Sequence, residues 1–336
     1  KAWQQHKSGG IGDAITLTPM ILLPPRDWLI ERCDRRFELM VDQGAVAEVE
    51  ALLPRNLNPD LPVIMLSHNT RELATLHTGD GIDRIFVWTG DSRILLSICK
   101  LIEDEKNAEN DVENGDVQVI LLVEDSRRFY SAYLPLLYSQ LVNQTTRLMG
   151  EGGNLYERLL RLRARAKILL ASDYPTAKSI IDKYHHNIIG VFTDGKFPDP
   201  EGGRDTAGLK LVRYVRSRDS NLPILFQSKN LELKEEAEAL GVRFLHKEDT
   251  QLYGRIADFM LEEMSFGDFI FKLPDGTEVG RAANLRQLVE ELSRAPIESV
   301  EYHATRRHFS HWLRTRTEFS LAASLRSLTI GDFEST

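Results

Sequence analysis

Polar side chains that together suit phosphoryl transfer follow four separate apolar segments of the chain. Glu124 and Asp125 come directly after LLV, Asp194 after VFT, Ser228 after ILFQ and Lys247 after VRFLH. The carboxyl ends of parallel strands lie at one edge of a sheet, so we expect these side chains to converge there. The sequence therefore predicts one polar site at one edge of a sheet.

Transfer of a phosphoryl group to an aspartate requires such a set. Two carboxylates hold a hard divalent cation, usually Mg²⁺, through oxygen ligands. The cation and a lysine neutralise charge on the transferring group, a third carboxylate is the nucleophile, and a hydroxyl hydrogen bonds to the product. Any one of these residues alone is better explained as an ordinary polar residue at a strand end. Their combination favours the chemistry.

The elements that must position these residues alternate between strand and helix patterns. Five short apolar segments are each followed by a helical pattern, which indicates an α/β fold with a doubly wound parallel sheet covered on both faces. The excess length between Asp125 and Asp194 is interpreted as an extension of the first helix or a helical excursion. The five segments are 117–123, 167–172, 188–193, 223–227 and 242–246.

The segments LLVEDS, VFTDGKFP, PILFQS and FLHK resemble, in this order, the motifs of response-regulator receiver domains. The resemblance implies a complete receiver domain over 117–264, with a flavodoxin-like five-stranded parallel sheet. It also implies that Glu124 and Asp125 hold Mg²⁺ together with Asp194 and the backbone carbonyl of Lys196.

The same resemblance assigns the remaining roles in the site. Asp194 would accept the phosphoryl group, Ser228 and Lys247 would contact it, and Phe244 would be the switching aromatic. A histidine kinase or another phosphodonor is the implied partner. Glu248 stands where the family usually has a proline, so the loop there is expected to differ. We expect no independent catalytic activity beyond phosphorylation and autodephosphorylation of the aspartate.

A second resemblance covers about 60–336. FYSAYLPLLYSQLV, FGDFIFKLPDGTEVGRAANL and YHATRRHFSHWLRTRTEFSLAASLR look like the N-terminal regulatory region of bacterial phosphoenolpyruvate synthase-like (PEP/pyruvate-binding) proteins. This implies that the module regulates a downstream kinase-like catalytic domain, which would begin beyond Thr336. It also implies that 62–106 is the second half of a first receiver, without an acceptor aspartate and with an exposed sheet edge.

Two further segments separate and follow these units. NAENDVENGD (107–116) is polar, acidic and without apolar periodicity, and we predict a linker there. Residues 265–336 form a small α+β tail, with a hairpin that turns at Asp275–Gly276 and helices around 285–293 and 305–328.

Residues 1–61 read as a short helical segment of different origin. AWQQ, LTPMILLPPRDWL and ERCDRRFELMVDQGAVAEVEALLPRNLNPDLP resemble part of the tRNA dimethylallyltransferases. Arg35, Arg36 and Phe37 fall in the matching motif, although a role as a helix face is favoured. Because the chain has no G-x-x-x-x-G-K-[ST] phosphate-binding loop, we expect no transferase activity. The two resemblances meet at NPDLPVIML, where a natural fusion and an assembly artefact are both open explanations.

The whole-chain composition is that of an ordinary globular protein. The 336 residues are 42% hydrophobic and 27% charged, with a formal net charge of −8, so we expect two or three domains and no nucleic-acid partner. No apolar run approaches the roughly 18 residues of a membrane span, so a cytoplasmic location is expected. Cys33 and Cys99 do not form a metal or disulfide motif.

Three histidines near the C-terminus stay unassigned. His308 and His311 are three residues apart and share a face of the predicted helix, with His303 close by. They are candidates for a metal pair, but no cysteine or carboxylate supplies convincing ligand spacing. A basic amphipathic helix is the favoured interpretation of RRHFSHWLRTR.

Overall fold

The computed structural model describes residues 62–68, 82–151, 161 and 164–327, together with 31, 32, 35, 38, 39 and 42. The chain divides into two units, Lys1–Pro62 and Val63–Thr336. In the first unit, positions 31, 32, 35, 38, 39 and 42 are helical, and Arg35 lies 3.6 Å from Glu31 one turn before it. The rest of the helical segment predicted for 1–61 lies outside the described residues.

The second unit begins with a two-stranded parallel sheet, β1 (Ile64–Ser67) and β2 (Arg84–Val87). The edge of β2 that faces away from β1 is occupied by side chains of the long helix described below. The Tyr130 hydroxyl donates to the Ile85 carbonyl, and the Val87 amide donates to the Ser131 hydroxyl over 2.9 Å. This edge is therefore closed to a further strand.

The main sheet has five parallel strands in the order β4-β3-β5-β6-β7. This order is the 2-1-3-4-5 arrangement of the flavodoxin-like doubly wound fold, so the predicted fold class is confirmed. Its strands are fully or largely buried, which explains their continuous apolar runs. They are β3 (Val119–Val123), β4 (Lys167–Ala171), β5 (Ile188–Asp194), β6 (Ile224–Ser228) and β7 (Arg243–His246).

Helices cover both faces of this sheet. Alternate residues of β3 enter two separate cores: Ile120 and Leu122 pack with α2 and α6, while Val119, Leu121 and Val123 pack with α3 and α4. The helices are α1 (Arg93–Gly115), α2 (Arg127–Glu151), α3 (Tyr174–Tyr184), α4 (Ala207–Arg218), α5 (Leu233–Ala239) and α6 (Leu252–Glu262). The excess length before β4 thus begins as an extended α2, and 152–160 lie outside the described residues.

The linker predicted at 107–116 is wrong. Residues 107–115 continue α1, which spans 23 residues and ends at Asp116 in a left-handed conformation (φ 49°). Ala108 is buried and Val112 packs against the same core, while Asp111 pairs with Lys167 at 2.7 Å. Glu109 pairs with Lys183 at 2.7 Å as well. Apolar contacts and two ion pairs therefore stabilise a helix that the acidic composition did not predict.

A buried carboxylate ties α1 to the main sheet. Asp104, with a fully buried side chain, accepts hydrogen bonds from Arg165 at 2.5 Å, from the Tyr138 hydroxyl at 2.9 Å and from the Ile168 amide at 2.9 Å. Lys167 lies 3.8 Å away. The contacts hold the start of β4 against the middle of α1.

The tail is a hairpin packed on four short helices. The hairpin β8 (Phe269–Lys272) and β9 (Glu278–Ala282) is antiparallel, as predicted. The single helix predicted at 305–328 is wrong, because the chain breaks at Arg307 (φ 59°) and Thr317 (φ 64°). The helices are α7 (Leu285–Leu292), α8 (Ile297–Thr305), α9 (His308–Arg314) and α10 (Phe319–Ser327). Trp312 and Phe271 lie at the centre of this small core.

Replacement of Asp104 tests the link between α1 and the sheet. In Asp104→Ala the buried Arg165 loses its carboxylate partner, and we expect the free energy of unfolding to fall by about 3–5 kcal/mol. Glu103→Ala is the control, since its exposed pair with Lys100 (2.6 Å) should contribute about 1 kcal/mol or less. Urea unfolding followed by circular dichroism measures both. Equal losses in the two variants would contradict the structural role of Asp104.

Candidate functional site

The carboxyl edge of the main sheet gathers the residues that the sequence singled out. Glu124 follows the last residue of β3, Asp194 and Ser228 are the last residues of β5 and β6, and Lys247 follows β7. The strand order places β3 and β5 side by side, with β6 and β7 next in line. The convergence predicted from the strand ends is therefore present in the fold.

Lys247 crosses this edge and contacts two carboxylates. Its ammonium lies 2.6 Å from Glu124 Oε2 and 2.7 Å from Asp194 Oδ2. The side chains of Lys247 and Glu124 are 3% and 1% exposed, and that of Asp194 is 11% exposed. The Phe129 ring lies 4.3 Å from the same ammonium and adds a cation–π contact. Lysine and two acids thus form a buried ionic triad.

The triad carries one more negative charge than positive charge when both acids are ionised. Burial, followed by the charge of Asp194, raises the pKa of Glu124 to about 8, while Lys247 and the Ser126 amide oppose the rise. A buried site with surplus carboxylate favours either a proton or a further cation.

Three carboxylates of this edge are close enough to share a metal ion. One oxygen from each of Glu124, Asp125 and Asp194 lies within 4.8 Å of the others, and this is the only such group of His, Cys, Asp or Glu among the described residues. Carboxylate oxygens are the ligands of hard divalent cations, so the set fits Mg²⁺. Asp125 is meanwhile bound by the Arg204 guanidinium at 2.5 Å.

Ser228 lies on the other side of the acceptor candidate, across Gly195. A Cβ atom added at Gly195 would be 3.0 Å from Ser228 Oγ and 3.2 Å from the Phe226 ring. Ser228 Oγ accepts a hydrogen bond from the Asn230 amide at 3.0 Å. Phe226 in turn stacks on the half-buried Phe244, with ring centroids 6.1 Å apart. A continuous contact path therefore runs from the acceptor loop to the predicted switching aromatic.

Gly208 fixes the backbone of the acceptor loop against α4. A Cβ atom there would lie 2.5 Å from the Asp194 carbonyl oxygen and 2.7 Å from Gly195 Cα. The Gly208 amide also donates to the Gly195 carbonyl over 3.2 Å. A side chain at this position would push the helix away from the acceptor loop.

Two other residues singled out in the sequence, Lys196 and Glu248, each form an ion pair. The Lys196 ammonium pairs with Asp205 at 2.8 Å, and the role of the Lys196 carbonyl as a metal ligand stays a prediction. Glu248, which replaces the usual proline, pairs with Lys229 at 3.3 Å and so joins the loops after β6 and β7.

The sequence interpretation missed Arg204, Gly208 and Phe129. Arg204 and Gly208 follow an aperiodic loop, PDPEGG, and Phe129 sits near the start of a helix, where spacing gives no signal of function. Their proximity to the acidic edge follows only from the tertiary fold.

The C-terminal histidines form a different arrangement from the predicted pair. His303 Nδ1 lies 2.9 Å from His308 Nδ1, and His303 Nε2 accepts a hydrogen bond from the Lys272 amide at 2.8 Å. Because Nε2 is an acceptor, neutral His303 carries its proton on Nδ1 and donates it to His308. The contact is thus explained by hydrogen bonding alone.

Comparison with known proteins gives two kinds of match, the first of which is to a family of transferases. The IPP transferase family matches residues 1–86. The tRNA dimethylallyltransferase of Erythrobacter litoralis is 60% identical over 82 residues, which are 24% of this chain and 25% of that enzyme. The same enzyme of Sphingopyxis alaskensis is 60% identical over 63 residues, 19% and 21% of the two chains.

The chain therefore spans about a quarter of the length of these curated relatives. The family match runs past residue 61 and includes β1 and most of β2, which the sequence interpretation attributed to a partial receiver-like unit. Residues 62–86 are therefore both matched by the IPP transferase family and part of the segment predicted as a partial receiver-like unit.

Solved structures of receiver domains are similar to part of the chain. The non-phosphorylated HemR receiver domain from Leptospira biflexa is 22% identical, with a TM-score of 0.26, and covers 42% of this chain and 90% of its own. The receiver domain of the histidine kinase CKI1 from Arabidopsis thaliana, complexed with Mg²⁺ and BeF₃⁻, is 16% identical, with a TM-score of 0.25, and covers 46% and 97%. The fold assignment rests on the strand order and not on these similarities.

Among the helices in the described part of the chain, none combines the length and apolar character needed to cross a membrane.

Two glycine substitutions test the packing behind the acceptor loop. Gly208→Ala forces a methyl group into backbone atoms, and we expect a loss of about 1–3 kcal/mol in the free energy of unfolding. Gly254→Ala is the matched control, because a Cβ atom in that helix meets nothing within 4 Å. It should stabilise the protein by about 0.5–1 kcal/mol through helix propensity. Chemical denaturation compares them, and a neutral Gly208→Ala would contradict the close packing.

Proposed function

We propose that the five-stranded domain is a phosphorylation-dependent switch in which Asp194 accepts a phosphoryl group from a histidine kinase or another phosphodonor. The observation that carries the proposal is the Lys247 ammonium held between Asp194 and Glu124 at 2.7 and 2.6 Å. A lysine in this position is suited to pair with oxygens of a phosphoryl group once Asp194 carries it.

The reaction is a displacement at phosphorus. An oxygen of the Asp194 carboxylate forms the new bond to phosphorus as the bond to the donor nitrogen or oxygen breaks, and the leaving group keeps the electron pair. Mg²⁺, held by Glu124, Asp125, Asp194 and the Lys196 carbonyl, would neutralise charge on the phosphoryl oxygens.

Ser228 and two aromatic residues would read the modified state. The Ser228 hydroxyl already accepts a backbone hydrogen bond, so its proton is available for a phosphoryl oxygen. Movement of Ser228 would act on Phe226, which abuts Gly195, and through it on Phe244. We propose that this shift biases contacts with the tail or with a downstream phosphoenolpyruvate synthase-like kinase domain.

A receiver-fold scaffold that is not phosphorylated is the alternative function. Arg204 and Lys247 already pair with Asp125, Glu124 and Asp194, and a proton on Glu124, whose pKa burial raises to about 8, would offset the remaining negative charge without a metal ion. In that case the domain would only mediate protein–protein contact.

For residues 1–86 we propose a remnant of a tRNA dimethylallyltransferase without activity. The match covers only part of that enzyme, and no phosphate-binding loop for the diphosphate of a prenyl donor occurs in the chain. Measurable prenyl transfer to tRNA by the purified chain would overturn this view.

Intact-protein mass spectrometry tests the acceptor. After incubation with Mg²⁺ and acetyl phosphate we expect one phosphoryl adduct on the wild-type chain and none on Asp194→Asn. Asp205→Asn is the control in the same loop, since its exposed carboxylate pairs with Lys196, and it should keep the adduct. A folded wild-type chain without adduct would leave the scaffold function, and an adduct retained in Asp194→Asn would place the acceptor elsewhere.

Arg204 should compete with Mg²⁺ for Asp125. Its guanidinium is 56% exposed, so the pair contributes about 1 kcal/mol or less, and Arg204→Ala should tighten Mg²⁺ binding up to about fivefold. Arg213→Ala is the control, because Arg213 pairs with Glu236 away from the acidic edge. Calorimetric titration with Mg²⁺ measures the affinities. Weaker binding in Arg204→Ala than in the control would show that Arg204 supports the site instead.

A further inference from the structure

A cleft of about 400 Å³ lies at the amino end of the main sheet, away from the acidic edge. Its walls include the first residues of β5 and β6, Ile188 and Ile224, and residues of the tail from β8 to α9. This volume is within the range of small-molecule sites in proteins. None of the features described above uses this cleft.

Three of the four acidic residues that line the cleft form ion pairs. Glu262 and Glu263 pair with Arg243 at 3.1 and 2.5 Å, and Asp268 pairs with Arg147 at 2.8 Å. Burial raises the pKa of Glu263. The fourth acid, Asp219, accepts a hydrogen bond from the Asn221 amide at 2.9 Å. Most of the negative charge along the cleft is therefore paired with arginines.

The basic groups on the tail side of the cleft lack such compensation. Lys272, Arg306 and Arg307 line the cleft, and none of them forms an ion pair with a described carboxylate. The Arg306 guanidinium lies 4.1 Å from the centre of the Tyr302 ring, which orients it without neutralising its charge. Three positive side chains thus border one concave surface.

These cations help to lower the pKa values of two histidines in the same wall, His303 and His308. Burial, and then the neighbouring His308, Lys272 and Arg306, lower the pKa of His303 to about 4. Burial, and then Arg306 and Lys272, lower the pKa of His308 to about 4. Both rings are therefore neutral near pH 7, and the positive charge belongs to the lysine and the arginines.

His311 presents an unused polar atom in the cleft wall. Its Nε2 is buried and has no hydrogen-bond partner among the described residues, while the ring bonds to the backbone of Ile189. Among the charged groups that act on it, His308 and Arg314 oppose protonation and Asp219 favours it. A buried polar atom without a partner marks a place where a ligand group gains a hydrogen bond.

We propose that this cleft binds a small organic phosphate, with Lys272, Arg306 and Arg307 contacting the phosphate oxygens. Separate cations around one concave surface suit a multiply charged phosphate better than a single carboxylate. The size of the cleft accommodates an organic group beyond the phosphate, and His311 lies in the wall that this group would meet. Because the cleft joins the main sheet to the tail, a bound phosphate stabilises the contact between them.

Thermal unfolding of the full chain tests the proposal in buffer with EDTA, which removes any divalent cation from the acidic edge. Pyrophosphate and adenosine 5′-diphosphate are the probes, with sodium chloride added to the reference at equal ionic strength. We expect the midpoint to rise by a few degrees with saturating probe. The rise should disappear in Arg306→Ala/Arg307→Ala and persist in the matched control Arg286→Ala/Arg294→Ala, whose exposed arginines lie on the tail outside the cleft.

The two probes distinguish the source of the phosphate. A response to both probes supports a phosphate site, and a response to the nucleotide alone supports one that also requires the organic group. His311→Leu should weaken the nucleotide response more than the pyrophosphate response. No response to either probe, or an undiminished response in Arg306→Ala/Arg307→Ala, would overturn the proposal. Because no metal or phosphodonor is present, failure here leaves the switch proposed for Asp194 unaffected.

Discussion

The buried contact of Lys247 with Glu124 and Asp194 is the interaction on which the site depends. Two ionised carboxylates from neighbouring strands are strongly destabilised side by side in a buried site unless a cation contacts both. Lys247 supplies that cation from β7, two strands away from β5. This requires β3, β5 and β7 to end at the same level, which the parallel register provides. The surplus negative charge that remains explains why the edge is suited to a divalent cation.

The two regions of different resemblance are joined by packing as well as by the chain. The family match to the IPP transferases ends within β2, yet β2 is held by Tyr130 and Ser131 of α2. From β2 the chain continues into α1, whose Asp104 is bound to residues before and within β4. The small parallel sheet is consequently a part of the larger unit and not a separate half domain.

The sequence was sufficient for the main sheet because buried parallel strands appear as short apolar runs, each ending in a polar residue. It failed where tertiary contacts or the local backbone conformation decide the structure. The acidic segment before Asp116 is helical because Ala108 and Val112 meet the core and Asp111 pairs with Lys167. The tail helix is broken where Arg307 and Thr317 adopt positive φ, for which neither residue type gives a signal.

The residues of the candidate site likewise divide into those that the sequence predicts and those that it does not. The positions of the carboxylates, the lysine and the serine could be predicted, because each lies at the end of a strand and the parallel topology alone brings them together. Arg204 and Gly208 could not be predicted from the sequence. A loop conformation places Arg204 beside Asp125, and close backbone packing requires that Gly208 has no side chain. The cleft between the sheet and the tail could not be predicted either, because its cations come from elements whose packing is set by tertiary contacts.

A crystal structure of the full chain grown with Mn²⁺ and beryllofluoride tests the central claim most directly. Mn²⁺ prefers the same oxygen ligands as Mg²⁺ and is located by its anomalous scattering. The account predicts one anomalous peak within ligand distance of Asp125 and Asp194, with beryllofluoride on the Asp194 carboxylate, in contact with Lys247 and Ser228. An unmodified Asp194 that still pairs with Lys247, with no anomalous peak at the acidic edge, would contradict it.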